Sequence, residues 1–477
     1  MISFRDPGGA LLAREGRIFR IVGSGAPDLN AFLASATAQK LFRAGQLPRT
    51  TVLGNGQVAE ALADTELKQA YEDLDGHMLV EHERIPFPSY PYEWPPEMLH
   101  AAGILTLDLA QSLLSDGLGL KDATPMNVLF RGTEPVFIDL LSFERRDPGD
   151  PTWLPYAQFV RTFVLPLLAN KRFGVPLEQS LGTRRDGLEP EEVYRYLGPL
   201  QRIMPPYLGL VSMPAWLGAR HNQDDTAIYR KQILKDAEKA RFILNSLLNR
   251  MRRTLNRVAP PSGRQSTWSG YMTSSGNNYA APDFSVKESF VADALREFAP
   301  KRVLDVGCNT GHFSFMAARA GAGVVAIDYD PVVAGRVWRG ARSERLDVLP
   351  LVVNLARPTP ATGWRNAEGP SFLDRAQGSF DAVLMLAVIH HMLVTERVPL
   401  PEILNLAADL TRDVAVIEFI EQGDSMFQRL TRGREELHRN LTVAYFETVC
   451  NQRFEIIRSQ RTPSGTRSLY LLRKKGL

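Results

Sequence analysis

Residues 303–330 read VLDVGCNTGHFSFMAARAGAGVVAIDYD, and their order of strand, glycine turn, helix, strand and acid decides the fold of the C-terminal half. Val303-Leu304-Asp305-Val306 is a short apolar run bounded by a turn, which reads as a buried parallel strand. Gly307-Cys308-Asn309-Thr310-Gly311 turns the chain. Glycine is needed there, where the backbone takes angles closed to other residues and a ligand can come close. A helix is predicted over 312–320, ended by Gly321. Val324-Val325-Ala326-Ile327 is a second strand, and Asp328 stands at its C-terminal end, 23 residues after Asp305. A carboxylate at that place accepts hydrogen bonds from ribose hydroxyls, so the stretch has the layout of a nucleotide half-site.

The dinucleotide fingerprint G-x-G-x-x-G faces a pyrophosphate with backbone NH groups. Here the run is D-V-G-C-N-T-G, with an acid ending the first strand and Asn309 in place of the middle glycine. An acid there repels a pyrophosphate and suits a ligand carrying an ammonium group. The pattern resembles motif I of class I S-adenosylmethionine (SAM) methyltransferases, in the relaxed form (D/E)-x-G-x-x-x-G. The resemblance implies that Asp305, Gly307 and Gly311, with Cys308 and Asn309 in the same turn, line the methionine moiety and that Asp328 binds the ribose. The alternative is a Rossmann-like turn that binds NAD or nothing.

The segments that follow keep the order expected of that family. Residues 346–353 are a third strand candidate ending at Asn354, whose side chain can reach the adenine amino group. Residues 379–386 (SFDAVLML) resemble motif IV, the strand whose end, at Leu386, flanks the transferable methyl. Ile389-His390-His391-Met392 comes next, and such a histidine pair recurs in this superfamily. Residues 414–419 are strand five, and 454–459 with 468–473 form a hairpin around a loop with turn chemistry. Residues 264–477 are therefore expected to form a Rossmann-like, seven-stranded class I methyltransferase domain.

Methyl transfer from a sulfonium is an in-line displacement, so positioning does most of the work. A base is needed only where the acceptor must lose a proton. His390 or His391 is the candidate base, since imidazole titrates near neutrality; a structural histidine is the other reading. Glu418, with Glu421, ends strand five and could hold an acceptor. The metal-binding pattern of RNA-end methylation is absent, so no metal is expected. Trp268, Tyr271 and Tyr279, in WSGYMTSSGNNYAA, are candidate acceptor contacts or a plain surface loop. Tyr329 and Trp364 could flank the adenine or the pocket, and core packing is the other reading of Trp364. Ser285-Val286-Lys287-Glu288 reads as a capping box opening a helix with Phe290, Val291, Ala294, Leu295 and Phe298 as its apolar stripe.

The chain has 477 residues, enough for two or three domains, with 44% apolar and 23% charged content. A net charge of +3 gives no argument for nucleic acid. Two cysteines, Cys308 and Cys450, exclude a disulfide framework and fit a reducing cytoplasm. The first residues lack an apolar signal core, and no apolar run approaches the ~20 residues that span a bilayer. Short strands are expected at 2–4 and 17–22 around Pro7-Gly8-Gly9, a helix over 28–44, a strand over 78–82 and a long helix over 97–117.

Residues 118–144, LGLKDATPMNVLFRGTEPVFIDLLSFE, are the most informative part of the N-terminal half. Asp122 and Asn127 are five residues apart, and Asp139 ends a second strand 17 residues after Asp122. Protein and aminoglycoside-type kinases space a catalytic Asp, a metal-binding Asn and a second metal-binding Asp in this way across a hairpin. The stretch resembles such a catalytic loop, with departures: Leu120-Lys121 precedes the first Asp, and Leu-Leu follows Asp139. No glycine-rich phosphate loop is evident, and only Arg17 or Arg20 could stand in for the usual lysine. Residues 1–258 thus resemble a degenerate α+β kinase-like domain with a helical lower lobe. ATP with magnesium is a possible ligand there, and an ordinary α/β hairpin is the plainer reading. Between Arg230 and Arg257 nine basic residues meet two acids, a face for phosphates, for an acidic partner or for solvent alone. Residues 259–263 (APPSG) are a linker.

Together SYPYEW, KDATPMN, VFIDLLSFE, LDVGCNTG and VIHHM are similar to bacterial proteins of the host-specific nodulation NoeA-like methyltransferase group, from about Phe4 to Tyr470. That resemblance implies an α/β SAM-dependent enzyme of the cytoplasm with a second, kinase-like module. It fixes neither the acceptor nor a partner; nucleic acid and membrane are not expected.

Overall fold

The computed structural model describes residues 8–218, 233–268 and 281–476. The chain divides into two compact units, Met1–Tyr92 with Pro96–Pro261, and Glu93–Pro95 with Ser262–Leu477.

In the first unit, apolar alternation between tight turns makes an antiparallel sheet. Strands β1 (Gly9–Arg14) and β2 (Arg17–Val22) are joined by Glu15 and Gly16, both at positive φ, as a two-residue hairpin turn requires. With β3 (Thr50–Val52) and β4 (Met78–His82) they form the order β1-β2-β4-β3. Of the turn expected at Pro7-Gly8-Gly9, Pro7 lies outside the described residues and Gly8 is in a turn, while Gly9 already opens β1, where a Cβ would lie 2.3 Å from the Ile21 carbonyl oxygen. Residues 2–4 lie outside the described residues. The helix expected over 28–44 is two, Ala26–Leu33 and Ala36–Arg43, because Ser35 turns extended and its hydroxyl caps Ala38 N.

Two short ribbons complete this unit. Strand β5 (Leu118–Leu120) pairs with β8 (Phe143–Arg145), and β6 (Val128–Arg131) pairs with β7 (Glu134–Phe137). Helix Pro96–Leu113 supplies their apolar backing. By length and composition the segment Pro96–Asp116 could cross a membrane, yet most of it is buried inside the unit. Against it lies helix Ala237–Val258, whose buried residues Ala240, Leu244, Leu248, Met251, Leu255 and Val258 recur at helical spacing. Ile243 falls off that stripe and is exposed, as is Ile233, which precedes the helix. Gly103 lets the two helices close up: a Cβ there would sit 2.9 Å from Leu255 Cδ2.

The second unit is a seven-stranded Rossmann-like sheet. Strands β9 (Arg302–Val306), β10 (Gly323–Asp328), β11 (Val348–Val352), β12 (Phe380–Met385) and β13 (Thr411–Ile420) are parallel, and β14 (Phe454–Arg461) and β15 (Arg467–Lys474) form the final hairpin. The order is β11-β10-β9-β12-β13-β15-β14, so the chain reverses direction across the sheet between β9 and β12. A crevice at the carboxyl ends of the strands is the natural ligand site at such a reversal. Glu93, fully buried, pairs with Arg375 within this unit.

Two expectations fail here. The Ser285 capping box does not open its helix, which starts a turn earlier (Ala281–Phe298), where Pro282 suits a helical first turn. Trp364 is not core but 64% exposed, on a loop where Arg365 and Asn366 both take positive φ.

Leu255 is fully buried between helices of the first unit, so Leu255→Ala should cost that unit about 2–5 kcal/mol in denaturant unfolding. A loss below about 1 kcal/mol would contradict the described packing.

Candidate functional site

The turn after β9 is held by its own backbone. Gly307 N and Cys308 N both donate to the Ile327 carbonyl, at 2.8 and 3.0 Å, which ties the turn to β10. Gly307 takes φ +66, and a Cβ there would lie 2.5 Å from Val388 Cγ2, so only glycine fits. Asn309 also has positive φ, a conformation asparagine tolerates, and its side chain donates to the Trp268 carbonyl at 3.2 Å. Gly311, at φ +87, precedes helix His312–Arg319. The Cys308 thiol is buried and pushed well up by desolvation, which makes it an inert wall of the turn.

Two buried carboxylates stand at the ends of neighbouring strands. Asp305 accepts from Ser314 Oγ at 2.6 Å, and burial pushes its pKa up to about 7 despite nearby Lys287. Asp328 accepts from Asn309 N at 3.0 Å and Asp330 N at 2.9 Å, and burial raises it to about 6. Each Asp328 oxygen keeps a second lone pair for a further donor. Under-compensated carboxylates of this kind favour a ligand that brings an ammonium group and hydroxyl donors. These residues fit the SAM that the sequence implies.

Asn354 follows β11, but its Oδ1 accepts from Ala356 N at 3.0 Å and so shapes its own loop. Leu386 is buried just after β12. Tyr329 is exposed beside Asp328, and Trp268 stands edge-on to it, with ring centroids 6.3 Å apart. Trp268 is likewise edge-on to His391, at 5.5 Å. Tyr271 and Tyr279 lie outside the described residues.

The two histidines on helix Ile389–Val394 are not equivalent. His391 is half-buried and meets Trp268. His390 is 2% exposed, sits behind it with ring centroids 4.1 Å apart, and its Nδ1 has no hydrogen-bond partner among the described residues. Burial first, then His391, Arg467 and Lys287, hold His390 well below the usual imidazole range; burial alone lowers His391.

Glu418, expected to hold an acceptor, is wholly buried and already engaged. Lys287 Nζ donates to Glu418 Oε2 at 2.6 Å, Arg467 Nη1 reaches Glu418 Oε1 at 3.4 Å, and Arg467 Nε donates to Asp424 Oδ2 at 2.8 Å. Asp424 also caps helix Ser425–Thr431. Sequence reasoning missed Lys287, Ser314, Arg467 and Asp424. One signal was available for Lys287: it lies three, four and seven residues before Phe290, Val291 and Ala294, inside an apolar stripe.

In the first unit the kinase-like positions come only partly together. Asn127 Nδ2 donates to Ser142 Oγ at 3.2 Å, and Ser142 Oγ donates to Asp139 Oδ2 at 2.5 Å. Arg20, from β2, places Nη1 3.1 Å from Asp139 Oδ1 and Nε 3.2 Å from His82 Nε2. Burial and Arg20 push His82 down to about 3, so the neutral ring accepts from Arg20 and its Nδ1–H faces Thr50 Oγ1 at 2.9 Å. Asp122 is exposed and accepts from Gln158 at 3.3 Å instead.

Residues 281–460 match the family described as "Methyltransferase domain". The chain is 28% identical over 474 residues to "Nodulation protein NoeA" of Rhizobium meliloti (strain 1021), covering 98% of this chain and 94% of that one. Among solved structures it resembles the N-methyltransferase NodS from Bradyrhizobium japonicum WM9 in complex with S-adenosyl-L-homocysteine (SAH), at 12% identity and TM-score 0.33, over 44% of this chain and 97% of that one. It also resembles the bifunctional kinase-methyltransferase WbdD, at 18% identity and TM-score 0.30, over 44% of this chain and 42% of that one.

Two outcomes follow from this geometry. Removing one member of a buried ion chain strands its partner, so Glu418→Gln should destabilise the second unit by about 3–5 kcal/mol. The double variant Lys287→Met/Glu418→Gln should recover part of that loss, and additive losses would refute the coupling. Asp305, raised in the fold from about 3.8 to about 7, contributes stability that is full below pH 4 and is lost as pH rises through 7. Asp305→Asn removes that loss, so the melting temperature of the variant minus that of the wild type should climb between pH 5 and 8. Parallel curves would show that Asp305 titrates elsewhere.

Proposed function

We propose that this chain, a class I SAM-dependent methyltransferase of NoeA-like type, methylates an oxygen or nitrogen of a small-molecule, glycan or protein acceptor. Its N-terminal unit, in this reading, is a kinase-like module that binds the acceptor or regulates transfer, and the protein works in the reducing cytoplasm. The observation that carries the reading is the pair of buried, raised carboxylates, Asp305 and Asp328, at adjacent strand ends around a turn that admits only glycine at 307.

Bound in this crevice, SAM would supply an electrophilic methyl on a sulfonium, the sulfur keeping the electron pair of the carbon–sulfur bond as the acceptor gains the methyl. Asp305, with the turn of Gly307, Cys308, Asn309 and Gly311, orients the donor through its ammonium end. Asp328 holds the ribose hydroxyls, with Tyr329 and Asn354 on the adenine side. Leu386 walls the reacting carbon and helps exclude water. His391, neutral at physiological pH, takes the proton of an acceptor that must lose one. His390 packs behind it as a positioning residue. Trp268 borders the acceptor space.

Arg20 supports the reading of the N-terminal unit as a module without phosphotransfer. Its guanidinium neutralises Asp139, the carboxylate that a kinase would offer to magnesium.

Calorimetric titration of SAH, and separately of ATP with magnesium, into wild type, Asp305→Ala and Asp139→Ala tests both halves. SAH should bind at least tenfold more weakly to Asp305→Ala, and ATP should give no heat. An ATP signal lost in Asp139→Ala would replace this reading with a bifunctional kinase–methyltransferase. SAH binding with no transfer of labelled methyl to any acceptor would leave a SAM-binding regulatory protein.

A further inference from the structure

Beyond the histidine helix the second unit holds a cavity of about 470 Å³, which none of the roles above uses. Its wall mixes apolar and polar residues, the apolar part coming from Leu393, Leu400, Leu430, Leu437 and Leu441 among others. Its polar groups are Arg397, Arg434, His438, Asn440 and Tyr445, and no lining side chain among the described residues is acidic. Neither Arg397 nor Arg434 makes a side-chain hydrogen bond or ion pair among the described residues.

The acids nearby in sequence are engaged elsewhere. Glu396 accepts from Arg357 at 2.9 and 3.0 Å, Glu435 accepts from Gly433 N at 3.0 Å, and Glu436 pairs with Arg439 at 3.3 Å. Two guanidiniums that line this cavity thus make no ion pair among the described residues. Guanidinium forks suit carboxylate and phosphate oxygens, and the volume falls within the ordinary range for small-ligand sites.

The cavity also lies next to the reactive end of the fold. Helix Ile389–Val394 carries His391 in its first turn and contributes Leu393 and Val394 to the cavity wall. His391 and Val394 are three residues apart, about 4.5 Å along the axis and on one face.

We propose that this cavity is the seat of an amphiphilic anion, a carboxylate or phosphate on an apolar body, and that this anion is the recognition end of the methyl acceptor. The assignment of the cavity to the acceptor rests on the methyltransferase reading above. Arg397 and Arg434 clamp the anionic head, and the leucines cover the apolar body.

Titration calorimetry of the full chain with octanoate and with octyl phosphate, each below its micelle concentration, tests this. Octanol and octylammonium serve as controls. Wild type should bind at least one of the two anions at least tenfold more tightly than either control, and which one distinguishes a carboxylate from a phosphate head. The exposed double variant Arg397→Ala/Arg434→Ala should lose at least tenfold, and Leu430→Glu, which puts an acid in the wall, should lose at least as much. SAH affinity, measured alongside, should stay within twofold of wild type and reports folding as well as donor binding. Absent anion binding, equal binding of octylammonium, or full retention in the double variant overturns the proposal while normal SAH binding leaves the methyltransferase reading intact. If wild type binds octanoate but not SAH, the cavity stands as an anion site and its assignment to an acceptor falls.

Discussion

The buried chain of charges Lys287–Glu418–Arg467–Asp424 is the constraint on which the second unit turns. It joins four separate pieces of sequence: helix Ala281–Phe298, strand β13, strand β15 and the start of helix Ser425–Thr431. None of these charges can reach water, so each depends on its neighbours for compensation, and breaking the chain anywhere leaves an unpaired ion in a poor dielectric. The same cations reach outward by their field. Lys287 opposes the rise of the Asp305 pKa, and Lys287 with Arg467 helps keep His390 neutral. Structural support and tuning of the site are thus done by the same residues.

Above that layer the site is a division of labour between turn and helix. On one side of the reversal in strand order stand carboxylates that burial has made reluctant to ionise; on the other stand histidines that burial has made reluctant to protonate. Desolvation acts on both, with opposite sign for acid and base. The consequence is a pair of carboxylates near their titration midpoint, which a ligand with an ammonium group holds in the ionised form when it enters. Trp268, bonded through its carbonyl to Asn309 and edge-on to both Tyr329 and His391, links the two sides.

The first unit solves a related problem differently. Asp139 and Asn127 are bridged by Ser142, and Arg20 supplies the positive charge from within the chain. His82, neutral and hydrogen-bonded to Thr50, fixes the guanidinium from the other side. Side chains that spacing alone presents as metal ligands are satisfied here by protein groups.

Local sequence carried much of this. The strand–turn–helix–strand run at 303–330, the later strands and the closing hairpin were legible because strand alternation and glycine geometry are short-range properties. So was the spacing of Asp122, Asn127 and Asp139. Ser285 misled for the same reason, since its capping pattern is genuine at short range but Pro282 offers an earlier start. Trp364 misled because apolar character says nothing of where a loop lies. By itself the sequence determined the order of elements, the acid-and-glycine turn and the chemical types available at each strand end. Only the tertiary structure decided that Glu418 is a buried counter-ion, that His390 backs His391, that Arg20 closes on Asp139, and that Arg397 and Arg434 have no side-chain partner among the described residues. Each of those depends on which residues, distant in sequence, share a dielectric environment, and burial and pairing are properties of the packed chain.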